Sequence, residues 1–380
     1  MDKGNQHKKI HVMFVLPSLL SGGGIEMHTL KLLRHFNREQ FILSLVTLFE
    51  RPQLPSLYKD VPQDVAIHRL NFAGASDIGQ WRALYTLFKT LHPDAVVSSM
   101  FSANAIVRIL KLFFAYKVIT REHNTYEEKK IYHRIIDFIL APFSDVLVAV
   151  SSSVADFISK QAWISREKIT VIHNGVDIGA VERFLIGEEQ EKRRVRSEIG
   201  LLEDEKIILN IARLKPQKNH TLLVDAFVIF TQTHPKYHLV IVGDGVERER
   251  LGQYIRERGL QSTVHLLGYR DDVFAWYAAS DFFVLTSKRE GFPNVGIEAM
   301  TFGLPMVSTQ VPGVDEFLRD GYNGYIAEQN PNEVEKKMSL CVKLLEQNHA
   351  QIQKNCHETA LRFDIVQVTK EYEKSIQSIL

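Results

Sequence analysis

Two glutamates with seven residues between them, Glu290 and Glu298, stand on either side of a turn suited to an anion. The stretch 287–303, SKREGFPNVGIEAMTFG, opens polar and turn-prone; Pro293 is a stop, Asn294 a suitable cap, and 295–303 reads as a short helix poor in charge. A helix start leaves backbone N–H groups unpaired and carries partial positive charge, which suits phosphate or a ring of hydroxyls. Glu290 lies in the loop before that start and Glu298 inside the helix, so the two carboxylates flank one site at different depths. Cations for the same anion lie elsewhere in the chain. The loop 212–219 holds Arg213 and Lys218 just beyond an apolar run at 207–211, where Arg offers a forked donor set and Lys a point charge to a diphosphate. His123, in TREHN, follows another apolar run. On spacing alone, the charged residues equally fit a solvated surface, and a lone histidine fits a structural role.

The wording around these residues narrows the choice. Glu290 and Glu298, with Gly291, Phe292, Pro293, Ala299 and Met300 around them, resemble the E-x7-E signature of retaining glycosyltransferases of family GT4, whose fold is called GT-B. ARLKPQKN resembles the family's arginine and lysine pair, and NGVD at 174–177 matches the string at the exit of its first domain residue for residue. His123 falls where the family carries a histidine that contacts the transferred sugar. The resemblance covers nearly the whole chain, strongest over 207–324 and thinnest over 54–115.

This resemblance implies a nucleotide-sugar donor such as a UDP-sugar. Arg213, Lys218 and the helix start at Asn294 would neutralise the diphosphate as charge develops on the leaving group. Glu298 would bind the ribose hydroxyls and Glu290 would approach the hexose. Backbone groups of Phe292, Pro293, Asn294 and Val295 would hold sugar hydroxyls and the distal phosphate. Gly23 and Gly24 are placed at the interdomain cleft, near the diphosphate and the acceptor, and Asn174 joins the donor-binding set. Gly243 and Arg270, at two later strand ends, are candidates for the base side. The acceptor hydroxyl would lose its proton to the leaving phosphate oxygen, with retention at the anomeric carbon. No D-x-D pair stands at a strand end to carry a divalent ion, so neither a metal nor another cofactor is expected. The nearest rivals are a nucleotide-sugar 2-epimerase or hydrolase on the same fold, and a sugar-binding module without activity.

Strands must alternate with helices to deliver these loops. Apolar runs at 10–16, 41–49, 95–99, 117–120, 146–150 and 169–172 read as strands. Periodic segments at 25–36, 78–91, 103–114, 154–160 and within 132–140 read as the helices between them. A charged surface segment at 188–198 separates this half from a second series, with strands at 207–211, 238–242, 264–267, 282–285 and 305–308 and helices at 220–231, 248–258, 333–345 and 365–380. This rhythm predicts an α/β chain of two Rossmann-like domains, in which ligands lie beyond the carboxyl ends of the strands. The expected division is 1–183 on the acceptor side and 184–361 on the nucleotide-sugar side. The resemblance adds that 362–380 packs back onto the first. G-G-G at 22–24 lacks the dinucleotide G-x-G-x-x-G spacing.

At 380 residues and 45% hydrophobic, the chain can bury two cores. Cys341 and Cys356 form no framework, which suits a reducing compartment. The apolar run 10–20 contains His11 and Pro17 and suits a buried strand better than a signal peptide. A cytoplasmic protein that binds no nucleic acid is expected. Residues 1–178 hold 21 Lys and Arg against 16 Asp and Glu, the remainder 25 against 29. Within the basic half, Arg108, Lys111, Lys117 and Arg121 accompany Ile109, Leu110, Leu112, Phe113 and Phe114; Lys129, Lys130 and Arg134 precede Ile135, Ile136, Phe138, Ile139 and Leu140. Such segments can hold a protein against the anionic inner leaflet, near a glycan or glycolipid acceptor of surface-polysaccharide or lipopolysaccharide synthesis.

Overall fold

The computed structural model describes residues 8–21, 23–51, 55–74, 76–124 and 131–380, leaving aside the side chains of 161 and 162. Two compact units share the chain, one formed by Met1–Gly175 with Ile365–Leu380 and the other by Val176–Asp364.

The first unit runs β1 (Ile10–Leu16), α1 (Gly24–His35), β2 (Phe41–Thr47), β3 (Ala66–Arg69), α2 (Ile78–Leu91), β4 (Ala95–Ser99), α3 (Phe101–Leu110), β5 (Lys117–Glu122), α4 (Ile131–Leu140), β6 (Val146–Ala149), α5 (Ser152–Ala162) and β7 (Ile169–Val171). All seven strands are parallel, in the order β3-β2-β1-β4-β5-β6-β7. A parallel sheet covered on both faces needs apolar residues at consecutive positions, which is why β1 and β4 read as unbroken runs. Alternate residues of β1 serve the two layers: Val12, Phe14 and Leu16 face Leu30, Leu33 and Ile365, whereas Met13 and Val15 join Leu84, Phe88 and Val107.

The second unit contains α6 (Ile178–Leu185), α7 (Glu189–Glu198), β8 (Lys206–Ile211), α8 (His220–Phe230), β9 (Tyr237–Val242), α9 (Arg248–Glu257), β10 (Val264–Gly268), α10 (Val273–Ala278), β11 (Phe282–Leu285), α11 (Asn294–Thr301), β12 (Met306–Thr309), β13 (Gly324–Ala327) and α12 (Pro331–Leu361). Its six parallel strands are ordered β10-β9-β8-β11-β12-β13. Ile208, Ile241 and Val284 pack there with Leu223, Phe227 and Met338. Strand order reverses between β1 and β4 in one sheet and between β8 and β11 in the other, so each unit has a switch point where a doubly wound sheet receives its ligand.

The last helix, α13 (Ile365–Ile379), belongs to the first unit and buries Ile365, Val368, Tyr372 and Ile376 against it. The first unit ends at Gly175, earlier than the 183/184 divide read from sequence. Asp177 Oδ1 caps α6 by accepting from Ala180 N at 2.9 Å, and Phe184 of that helix meets Phe274 and Phe302 of the second unit.

The lipid-facing role read for several basic residues needs correction. Arg108 is buried, its Nη1 3.1 Å from Asp137, and Arg121 is buried on the opposite face of the sheet; Lys111 and Lys117 pair with Asp145. Lys129 and Lys130 lie outside the described residues. The apolar half of that expectation is more pronounced than its charged half. On α4 the charged Asp137 points inward, while Ile131, Tyr132, Ile135, Phe138 and Ile139 are exposed, as are Leu112, Phe113 and Trp163 nearby in sequence or space. Among the described residues, no helix is long and apolar enough to cross a membrane.

Candidate functional site

In the second unit, two loops leave the sheet at its switch point and are fastened together. The first, 212–219, follows β8; the second, 286–293, follows β11. Lys288 N donates to Gln217 O at 2.8 Å, Gln217 Nε2 to Arg289 O at 2.7 Å, and Thr286 Oγ1 to Asn219 O at 3.2 Å. This lacing brings Lys218 to Glu290, with Nζ 2.6 Å from Oε1. Ser287 Oγ donates to the same oxygen at 2.5 Å. Glu290 is only 8% exposed, and both contacts fall on one carboxylate oxygen, Oε1.

Arg213 is exposed and makes no ion pair among the described residues. Its charge is felt at Lys215, whose pKa it lowers, with burial and Lys218 adding to the effect. The loop thus carries three cations, of which Lys218 is paired with Glu290. Lys215 and Ser287 went unnoticed in the sequence, although three cations within ARLKPQK and the S-x-x-E spacing were both legible. His220, next in the chain, is buried with Nε2 unpartnered, and burial followed by the charge of Lys218 pulls its pKa down to about 4.

Glu298 lies in α11 as expected. Tyr277 Oη donates to its Oε2 at 3.4 Å and to Val295 O at 3.2 Å, and burial keeps that phenol protonated. The helix start departs from expectation. Pro293 holds the cap position, Asn294 is the first helical residue, and no side chain caps the turn; Asn294 Oδ1 is buried without a partner. Pro293 has no N–H to offer, and Asn294 N–H turns back to Phe292 O at 3.0 Å, so the backbone donors of 292–295 are fewer than the sequence reading assumed. Phe292 packs its ring on Phe317 and Phe363.

Gly243 follows β9 with φ +136°, and a Cβ there would lie 2.0 Å from Ala212 O, so the glycine lets this turn pass beneath the cationic loop. Arg270, the other base-side candidate, is held by carboxylates. Its guanidinium meets Glu198 at 2.7 and 3.0 Å and Asp272 at 2.8 Å, while Arg194 of α7 also holds Asp272, so the arginine anchors α7 to the turn before α10.

The first unit presents the remaining predicted residues. Gly23 precedes α1 and Gly24 opens it; the carboxylate of Glu26 folds back over Gly23, where a Cβ would meet it at 2.0 Å. His123 follows β5, buried, with both ring nitrogens unpartnered, and burial then the Arg121 charge hold it neutral. Asn174 Oδ1 is likewise buried and unpartnered, and Gly175 makes room for Ile365, which a Cβ would approach to 2.7 Å. Among the described residues, no group of three or more His, Cys, Asp or Glu is arranged to hold a metal ion.

Comparison with known proteins agrees with this geometry. The profile of glycosyl transferases group 1 matches residues 191–358, and that of Glycosyltransferase Family 4 matches residues 22–179. An Escherichia coli UDP-Gal:alpha-D-GlcNAc-diphosphoundecaprenol alpha-1,3-galactosyltransferase is 26% identical over 377 residues, covering 95% of each chain. The Bacillus anthracis N-acetyl-alpha-D-glucosaminyl L-malate synthase is 32% identical over 186 residues, 49% of this chain and 46% of its own. Among solved structures, Anabaena HepE in complex with UDP superposes with a TM-score of 0.81 at 21% identity, covering 97% of this chain and all of that one. A Rickettsia africae glycosyltransferase does so with a TM-score of 0.85 at 19% identity, covering 98% and 99%. With two adjoining profiles accounting for its two units, the chain belongs to the family 4, or group 1, glycosyltransferases, enzymes of the GT-B fold.

Proposed function

We propose that this glycosyltransferase moves a hexose, with retention, from a UDP-sugar to a lipid-linked glycan, and that protein cations rather than a metal neutralise the diphosphate. The observation that carries the reading is the laced pair of loops, which sets Lys218 on Glu290 at the switch point of the second sheet, with Arg213 and Lys215 on the same loop as Lys218. Preorganised cations aimed where charge develops stabilise the transition state without reorganising. In the reaction, the acceptor oxygen bonds to the anomeric carbon on the face the diphosphate leaves. The carbon–oxygen bond to phosphate breaks, and the acceptor proton passes to the leaving phosphate oxygen. Glu290 Oε2 accepts from a hexose hydroxyl, oriented by Lys218 and Ser287 on Oε1. Glu298, backed by Tyr277, takes the ribose. The names of the Escherichia coli relative and of a Campylobacter jejuni relative, both specifying diphospho-undecaprenol-linked sugars, support the acceptor class. A panel of nucleotide sugars, assayed for UDP release and for glycosylated product, tests it: free UDP without transfer to any lipid-linked acceptor would favour the epimerase or hydrolase reading.

The same proposal places the protein on the cytoplasmic leaflet through α4. A helix with its acid turned inward and five large apolar side chains outward needs cover, and Trp163, with the Arg134 guanidinium 5.2 Å from its ring, supplies an interfacial aromatic and a cation. Co-sedimentation with liposomes should be strengthened by anionic lipid and fall in Phe138→Asp; binding absent at low salt would leave a freely soluble transferase.

A further inference from the structure

His68 Nε2, Thr369 Oγ1 and Tyr372 Oη aside, five polar side chains of the first unit carry buried atoms with no hydrogen-bond partner: His28 Nε2, Ser99 Oγ, Arg121 Nε, both ring nitrogens of His123, and Asn174 Oδ1. None is more than 8% exposed. They gather at the carboxyl end of one sheet. Ser99 closes β4 opposite Arg121 of β5, His123 follows β5, Asn174 follows β7, and His28 lies in the second turn of the helix after β1. Buried polar atoms are normally satisfied, so a set of orphans beside a switch point marks hydrogen bonds left for a ligand. Met100, between Ser99 and α3, adds a non-glycine residue at φ +73°.

Arg121 organises this set. Its Nη2 lies 2.6 Å from His28 Nδ1, its Nη1 3.3 Å from Thr29 Oγ1, and the Tyr372 ring of α13 sits 5.3 Å from the guanidinium. Among the described residues it meets no carboxylate. An arginine can only donate, so His28 Nδ1 must accept, and the proton of a neutral ring must then reside on Nε2. Burial, and after it the Arg121 charge, keeps the His28 ring neutral. The result is a fixed N–H donor in front of a buried cation that lacks its counter-charge, which an incoming anion supplies.

We infer that Arg121 is a positioning residue that locks the His28 tautomer, so that His28 Nε2–H, beside His123, binds a phosphoryl oxygen of the substrates. The choice of phosphoryl rests on the nucleotide-sugar reading above. That oxygen belongs either to the donor diphosphate or to a phosphoryl group on the acceptor, and calorimetry separates the two. UDP is titrated into wild type, Arg121→Met, His28→Gln and His28→Asn; inorganic phosphate is titrated into the free and the UDP-saturated proteins. A glutamine amide can stand where Nε2–H stood, whereas an asparagine amide reaches only the Nδ1 position. If the donor supplies the anion, UDP affinity falls about tenfold, the worth of one hydrogen bond to charge, in Arg121→Met and His28→Asn and is largely kept in His28→Gln. If the acceptor supplies it, UDP affinity holds in all variants, and phosphate binding to the UDP complex is lost in the same two. Arg121→Met should melt no lower than wild type, because an unpaired buried charge has been replaced by an apolar chain of similar length. Equal losses in His28→Gln and His28→Asn, no loss of either anion, or a loss in Arg121→Met that tracks a lowered melting temperature would overturn the assignment. Failure of the wild type to bind UDP would instead sink the nucleotide reading, while the phosphate titrations still decide this one.

Discussion

The carboxyl ends of β8 and β11 and those of β1 and β4 occupy equivalent places in two sheets of like topology, yet these ends and their neighbours are built from different chemistry. In the second unit the loops carry formal charge near the surface: Arg213 exposed, Lys218 paired to Glu290, and Lys215 pressed by both cations. In the first unit the groups are buried and mostly neutral, with one arginine hidden behind two histidines. An exposed cation loses little solvation and can meet a mobile diphosphate, while a buried neutral donor is rigid and discriminates by geometry. The two switch points thus present different chemistry, formal charge in one unit and rigid, mostly neutral groups in the other.

The sharpest way to break that comparison is to remove charge from the second unit. Arg213→Ala and Lys218→Ala should each cost about 2–4 kcal/mol of transition-state stabilisation, read as kcat/KM, which is the range for a lost oxyanion-type donor. Arg213→Ala should leave the melting temperature unchanged, because the side chain is exposed and unpaired among the described residues. Wild-type turnover in that variant would remove the charge-based account of the second unit.

Next in size is a change that spares every charge. Gly243→Ala would put a Cβ 2.0 Å from Ala212 O at a φ of +136°, so the turn must shift or strain. A cost of about 1–3 kcal/mol in urea unfolding is expected, with a parallel loss of UDP affinity as Arg213 and Lys215 move. Unaltered stability would mean that the turn supporting the cations is looser than drawn.

The two glutamates should part company. Glu290→Ala should lower turnover while leaving affinity for plain UDP within about threefold, and Glu298→Ala should weaken UDP about tenfold, since ribose contact is made equally in ground and transition states. Calorimetry on both variants checks it; equal losses of affinity would erase the division of roles.

The contrast between the units also explains what was legible in the sequence. Long apolar runs forced the parallel strands, and E-x7-E, ARLKPQKN and NGVD are strings whose residues lie close in the chain. Their pairing across 72 positions, Lys218 with Glu290, came only with the lacing of two loops. The first unit's cluster was harder to see because His28, Ser99, Arg121 and Asn174 come from separate elements and look individually like core or cap residues. Edge strands β3 and β13 were read as neither: β3 buries none of its four residues fully, and β13 begins at a glycine turn. Helix α12 reads in sequence only to 345 because a non-helical Asn348 interrupts it and its second half mixes buried polar Asn355 and Thr359, bonded to Tyr322 O and Asn323 Nδ2, with Ile352, Cys356 and Ala360. Arg108 and Arg121 seemed lipid-facing because a buried arginine and a snorkelling one look alike in sequence.

The smallest expected effect concerns protons at His220, which borders the cationic loop. Burial and then Lys218 lower its folded pKa to about 4, with Glu247 opposing, whereas the unfolded side chain titrates near 6.5. Above pH 6.5 both states hold a neutral ring and stability is independent of it. As pH falls through 6.5 the unfolded chain takes the proton first, so the folded state loses ground until its own group titrates near pH 4. At pH 5.5 this should amount to about 1 kcal/mol. Histidines 28 and 123 act in the same direction in the first unit, so acid weakens both units through neutral buried rings rather than through the exposed cations. In His220→Gln the loss of urea stability between pH 7 and pH 5.5 should shrink by that amount, without change at pH 7 beyond the constant cost of the substitution. An identical pH slope in the variant would show that the ring titrates normally in the folded protein and that the buried, electropositive surroundings assigned to it do not act on it.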